Sequence, residues 1–305
     1  MHLKIIILLI IVVTAGKLQA QEDTTDLMAM LEKEVIGDNK SKTSYTTATF
    51  KTTRLINGHT VENVGKGVLD FKLSHRFGKL NNGSYELFGL DNATMRMGFD
   101  YGITPSLMVG IGRSTFEKTY DAFFKIKILR QSTGKRNMPF TVSYVPTIAL
   151  KTLKFEDPNR ENYYSSRLYF SHQLIIGRKF SEKTSLQLMP TYLHRNLVKY
   201  AAESNGLIAI GIGGRQKVSK RVSVNAEYYY QVPGYKLQGT TNSLSLGVDI
   251  ETGGHVFQLH FTNSRGMTER TFISETIGEW GKGDIYFGFN ISRVFTIGKR
   301  KKQAE

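Results

Sequence analysis

Cysteine is absent from all 305 residues, so the chain can form no disulfide and offers no thiolate for a nucleophile, a zinc ribbon or an Fe–S cluster. Proline occurs 6 times and tryptophan once. No helix-length apolar span stands out either: the apolar run at 5–15 is too short to cross a bilayer, and no stop-transfer pattern follows it. A mean hydropathy of −0.27 with 22% charged residues excludes a polytopic helical membrane protein. A chain that is 40% hydrophobic and 11% aromatic is not disordered. What is abundant is Gly (29), Tyr (15) and Phe (18), a composition that favours strands and tight turns.

The N-terminus reads as an export signal over residues 1–20: Lys4 supplies the positive charge, 5–15 the apolar stretch, and Leu18-Gln19-Ala20 a cleavage site before Gln21. Removing Lys4 and Lys17 leaves 39 of the 41 Lys and Arg against 26 acids, a mature net charge of +13. Residues 21–65 form a polar segment in which Leu27, Met30, Leu31 and Val35 have helical spacing. Its Thr-rich part, 43–55, reads as extended chain lying inside or beside the fold. A basic tail, 297–305, ends the chain.

Between these ends, over 66–296, the period is two. Leu69, Phe71, Leu73 and Phe77 alternate with Asp70, Lys72, Ser74 and Arg76; Met95, Met97, Phe99 and Tyr101 alternate with Thr94, Arg96, Gly98 and Asp100. Phe124, Ile126 and Ile128 alternate with Lys125 and Lys127, and Phe287, Phe289 and Ile291 with Gly288, Asn290 and Ser292. The runs number about twelve, several of them roughly ten residues long, enough to cross a bilayer when tilted. Short turns at 103–106, 133–134, 181–183, 219–220 and 252–254 alternate with mostly longer polar connections at 79–93, 152–162, 196–205, 233–241 and 264–282. Short turns at one end and long loops at the other are the pattern of an outer-membrane barrel, with the short turns periplasmic. The expected fold is therefore all-β: a transmembrane antiparallel up-and-down β-barrel of about twelve strands in the cell outer membrane, its partner the surrounding lipid. A secreted soluble β-sandwich binding protein is the alternative, since it alternates too but turns its apolar face inward.

Several stretches carry a family resemblance. Leu87-Phe88-Gly89-Leu90-Asp91, Phe99-Asp100-Tyr101-Gly102-Ile103-Thr104, Val109-Gly110-Ile111-Gly112-Arg113-Ser114, Thr262-Asn263-Ser264-Arg265-Gly266-Met267-Thr268 and Phe289-Asn290-Ile291-Ser292-Arg293-Val294-Phe295 resemble a family of bacterial outer-membrane β-barrels of unknown function. The resemblance implies fold and location and no catalytic residues. Phe295 departs from the usual terminal aromatic in being followed by a tail to Glu305.

Candidate chemistry is sparse. Ser74-His75 and Ser171-His172 suggest a dyad of a lipid- or envelope-directed barrel enzyme, but adjacent strand residues point to opposite faces and cannot meet. His255 and His260 are separated by an odd number and also diverge. No catalytic, cofactor or metal site is expected. Gly-Ile-Gly at 110–112 and Gly-Ile-Gly-Gly at 211–214 lack a following helix, which disfavours phosphate cradles and favours close packing on strands. The cations Lys72, Arg76, Arg96, Lys125, Lys127 and Arg167 are expected to line the lumen, where small anionic solutes would meet them. Asn263, Arg265 and Trp280 mark a loop expected to fold inward as a constriction. The dispersed charge and exported location speak against nucleic acid. The expected protein is a monomer that passes small solutes or serves as a scaffold for periplasmic proteins. Phe124→Arg is expected to destabilise and Lys125→Gln to be nearly neutral.

Overall fold

The structure, a computed structural model, describes residues 42–155, 158–159, 161–198 and 202–297. The expected signal peptide at 1–20, the helical spacing at 27–35 and the tail at 298–305 lie outside the described residues. Two short strands, β1 (Thr43–Tyr45) and β6 (Ser132–Gly134), pair as a ribbon. The other twelve are β2 (Val68–Lys79), β3 (Ala93–Gly102), β4 (Leu107–Ser114), β5 (Thr119–Leu129), β7 (Thr141–Lys151), β8 (Leu168–Lys179), β9 (Thr184–Arg195), β10 (Gly206–Lys217), β11 (Val222–Gln231), β12 (Ser243–Thr252), β13 (His255–Thr262) and β14 (Tyr286–Thr296). They form one closed antiparallel barrel. Sequential neighbours pair, and β14 returns to β2 with Ile291 opposite Leu73 and Phe289 opposite His75, so no edge is left unpaired.

The alternation decides which way each strand faces. Phe99, Ile111, Phe124, Ile126, Ile148, Ile210, Leu246, Leu259 and Phe261 point outward and are exposed, while Asp70, Lys72, Arg96, Asp100 and Lys125 point inward and are buried. A soluble sandwich would bury the first set and expose the second, so that alternative is excluded. The tight turns 103–106, 180–183, 218–221 and 253–254 lie, with the longer connection 130–140, at the end where the chain enters β2 and leaves β14; the opposite end carries the connections 80–92, 152–167, 196–205, 232–242 and 263–285 and one short turn, 115–118.

The lumen is filled from both ends. From the short-turn end, residues 46–64 enter the barrel and reverse, with Leu55 N–H donating to Gly58 O at 2.8 Å and Thr60 N–H to Thr53 O at 3.0 Å. The sequence boundary at 65/66 thus separates two parts that the fold packs together. From the long-loop end, connection 263–285 turns inward through a short helix, α1 (Glu269–Ser274), whose six residues are all buried. Thr268 and Thr271 form a capping box at its start, satisfying orphan backbone donors. Phe50, Leu55, Val61 and Val64 of the inserted segment and Phe272 and Ile273 of α1 share one core with the wall residues Met108, Phe123, Val145, Ile175, Met189, Leu193, Leu207 and Tyr229.

Candidate functional site

The barrel interior has two unlike halves. On β4 to β11 the inward positions include Met108, Phe123, Val145, Ile175, Met189, Leu207 and Tyr229. On β12, β13, β14, β2 and β3 they are mainly polar or charged: Ser245, Asp249, Gln258, His260, Asn290, Asp70, Lys72, Arg76, Arg96 and Asp100. The uniformly polar lumen implied by strict alternation is thus corrected. On the first arc the apolar inward residues form a band among polar ones: Phe123 lies between Asp121 and Lys125, Ile175 follows Gln173, and Met189 lies between Gln187 and Thr191.

Wall side chains bind the backbone of the inserted segment. The Glu227 carboxylate on β11 accepts N–H bonds from Asn57 at 2.8 Å, Gly58 at 3.1 Å and Ile56 at 3.3 Å. The Lys125 ammonium donates to the carbonyls of Glu62 at 2.7 Å, Thr60 at 3.0 Å and Thr53 at 3.2 Å. Gln187 donates to His59 O at 2.8 Å, Gln258 to Leu55 O at 2.8 Å, and Asn290 to Ile56 O at 3.0 Å. An irregular segment inside a barrel has no ladder to satisfy its backbone, and these side chains take the place of one. Apolar fit is set by glycine. A Cβ on Gly213 would lie 2.5 Å from Leu55, and one on Gly177 2.7 Å from Val61, so two inward glycines leave room for the segment's side chains.

The segment is attached to the wall by side chains, not by strand pairing. Among the described residues no backbone–backbone hydrogen bond joins 47–64 to a barrel strand; Thr46 N–H bonds Gln131 O at 2.9 Å, between β5 and β6. At the short-turn end a vestibule of about 370 Å³, lined by Phe50, Thr53, Glu62, Asp70, His255 and Ser292, leaves one flank of the segment unpacked.

The two inserts meet at Arg54, which donates to Glu269 of α1 at 2.7 Å. Arg76 on β2 ties both together: it donates to Ser264 O at 2.7 Å and Gly266 O at 2.8 Å in the loop, and to Asn57 Oδ1 at 2.7 Å in the segment. On the loop side Arg270 pairs with Glu275 at 2.9 Å and with Glu117 of the β4–β5 turn, its guanidinium lying 4.1 Å from the Tyr169 ring centroid. Burial alone would raise the Glu117 carboxyl, but Arg270 and Lys151 outweigh it and hold it low. At the rim, Asp284 accepts from Lys79 at 2.7 Å, Asn81 at 3.0 Å and Glu279 N–H at 3.2 Å, bonds that draw its pKa down to about 2.

Of the cations nominated from sequence, Lys72, Arg76, Arg96, Lys125 and Lys127 face inward, and each is engaged. Lys72 pairs with Asp100 and, at 3.3 Å, Asp70; Arg96 holds Asp121, with Nε 2.9 Å from Oδ1; Lys127 lies 3.6 Å from Glu62. Arg167 departs from expectation. It sits in a 3₁₀ turn (Tyr164–Arg167) above β8 with its guanidinium 3.5 Å from the Phe155 ring centroid, because the strand begins one residue later. In the loop, Asn263 donates to Gly278 O at 2.8 Å and Asn242 O at 2.9 Å, and Trp280 to Leu244 O at 3.1 Å. Arg265 lies 5.5 Å from the Phe116 ring centroid. These three brace the loop at the rim, whereas the stretch that enters the lumen runs from Gly266 to Thr276. His75 stacks on Phe289 at 4.9 Å and His172 bonds the Tyr144 hydroxyl at 2.7 Å, both on the outer face, so neither meets its neighbouring Ser. Glu227, Gln187 and Gln258 were not singled out from sequence; each is a polar residue at an inward position, and the only sequence signal was that placement.

The model of a family described as a membrane-bound β-barrel domain (DUF5777) matches residues 50–295. The chain belongs to this family. The match begins inside the inserted segment, not at the first barrel strand. No curated protein matches the chain. Solved structures similar in fold include the NanC porin, at 7% identity and TM-score 0.47, covering 76% of this chain and 100% of that one. An outer-membrane channel from Pseudomonas putida F1 gives 12% and 0.45 over 77% and 98%. The translocator domain of the autotransporter NalP from Neisseria meningitidis gives 11% and 0.40 over 88% and 95%. The protein is a membrane-bound β-barrel.

Proposed function

We propose that this barrel is a narrow solute channel of the outer membrane, closed by its own inserts and opened by withdrawal of residues 46–64 toward the short-turn end. One observation carries the reading: the twelve-strand ladder closes on itself without any backbone group of 47–64, so the segment can leave while the wall stays intact. The vestibule on its flank gives it a direction in which to move. Withdrawal would strip Lys125 and Lys127 of their partners on the segment, and Glu227 of its own, leaving cations in excess on the exposed wall. The expected conductance is therefore small and anion-preferring, and its selectivity weakens as salt screens the field over about 8 Å at physiological strength.

The chain lacks cysteine, so an introduced pair is unambiguous. A Cβ on Gly177 would lie 3.5 Å from the Val61 Cβ, within disulfide range. Val61→Cys with Gly177→Cys should lock the segment. In planar bilayers, deletion of 46–64 should raise conductance, more so with 266–276 also removed, and the oxidised double-cysteine protein should stay silent until reduced. A folded barrel lacking both inserts that passes no current would refute the channel and favour a scaffold.

A further inference from the structure

The outer wall carries a groove that the channel reading does not use. It lies on β3, β4, β5, β7 and the start of β8, has a volume of about 470 Å³, and is lined by Met97, Phe99, Ile111, Ile148, Leu150 and Leu168. That is within the roughly 300–1,000 Å³ of ligand pockets. Strand register explains it. One row across the sheet reads Phe99, Ile111, Ala122, Ile148 and Phe170, so a single methyl separates two isoleucines. The next row toward the long-loop end reads Met97, Arg113, Tyr120, Leu150 and Leu168. The groove thus has an apolar floor at Ala122 and a cation at its upper rim. Arg113 Nε donates to the Tyr120 hydroxyl at 3.2 Å, and among the described residues no carboxylate lies within ion-pair distance of it. Lys118, exposed in the turn joining the two strands, stands at the same end.

We propose that this groove seats one acyl chain of a phosphate-bearing anionic lipid of the outer leaflet, with the headgroup phosphate on Arg113. Location selects the tail: a void in the hydrocarbon belt offers no partners to water and is filled by lipid. Charge selects the head, because a guanidinium at the interface binds phosphate by charge-assisted hydrogen bonds. With the short turns periplasmic, the Arg113 end faces the outer leaflet.

The full-length barrel, refolded and verified by heat-modifiable gel mobility, is equilibrated in mixed micelles with dioleoyl phosphatidylglycerol or dioleoyl phosphatidylcholine and examined by native mass spectrometry. One phosphatidylglycerol should be retained about five-fold over phosphatidylcholine, the factor equivalent to about 1 kcal/mol per cation near an anionic lipid surface. Arg113→Gln should abolish the preference and keep a bound lipid. Ala122→Phe should lose the bound lipid of either kind while leaving the mobility shift unchanged. Equal retention of both lipids by the native barrel, or an unaltered phosphatidylglycerol adduct in Ala122→Phe, overturns the proposal. Should Ala122→Phe not fold, Arg113→Gln still decides it, since an undiminished preference in that variant refutes the headgroup contact.

Discussion

Glu227→Gln is the most direct test of how the lumen is closed. The carboxylate holds three consecutive backbone N–H groups, Asn57 through one oxygen and Ile56 and Gly58 through the other. A glutamine amide keeps one acceptor oxygen and turns an NH₂ group toward the remaining donors, so at least one bond becomes a donor–donor contact and the others lose their charge assistance. A hydrogen bond to a charged group is worth roughly 1.5–3 kcal/mol and a neutral one about 1. Allowing for the relief of no longer burying an ion, the seat should weaken by about 2–4 kcal/mol. That is an increase of about 30- to 700-fold in opening of the segment. Hydrogen exchange in detergent micelles reads this directly. Amides at 55–60 should lose protection by that factor, whereas those of the barrel strands should not change. Unchanged exchange at Asn57 would mean the carboxylate does not hold the segment; parallel loss in the strands would mean that segment and wall open as one unit, which refutes withdrawal.

Phe124→Arg, on the lipid face, should cost about 2–4 kcal/mol in refolding titrations into vesicles. Lys125→Gln, expected from sequence to be nearly neutral, should instead cost about 1–3 kcal/mol, because its ammonium serves three buried carbonyls; a neutral result would show that those bonds do not form. The Asp284 anchor has a defined pH range: its folded pKa of about 2 is below the unfolded value, so its contribution is complete above about pH 4 and is lost as pH falls toward 2. The single tryptophan, Trp280, lies in the same loop and should keep its emission maximum from pH 7 to 4, then shift red on further acidification. Asp284→Asn should show the red shift already at pH 7, and a native transition complete by pH 4 would refute the anchor.

Period-two alternation, turn chemistry and loop lengths determined the strands, their faces and the two unlike ends of the barrel, because those properties are local: each residue's side of the sheet follows from its neighbour's. The inward placement of Lys72, Arg76, Arg96 and Lys125 was legible for the same reason, and Arg167 was misplaced because a strand boundary, unlike a strand, is set by loop packing. Closure of the lumen was legible in part: the loop after β13 was expected to fold inward, but which stretch enters, 266–276, and the seating of residues 46–64 were decided by tertiary structure. Residues 46–64 have no period to reveal them, and their backbone is satisfied by Glu227, Lys125, Gln187 and Gln258, which lie 63 or more positions away in the chain from the groups they bind. The apolar band inside the wall was written in the sequence only as local breaks in the alternation, such as Phe123-Phe124 and Leu174-Ile175-Ile176. What made it a core was a segment from one end and a helix from the other, bringing Leu55, Val61 and Phe272 against it, an arrangement that depends on contacts no local pattern encodes.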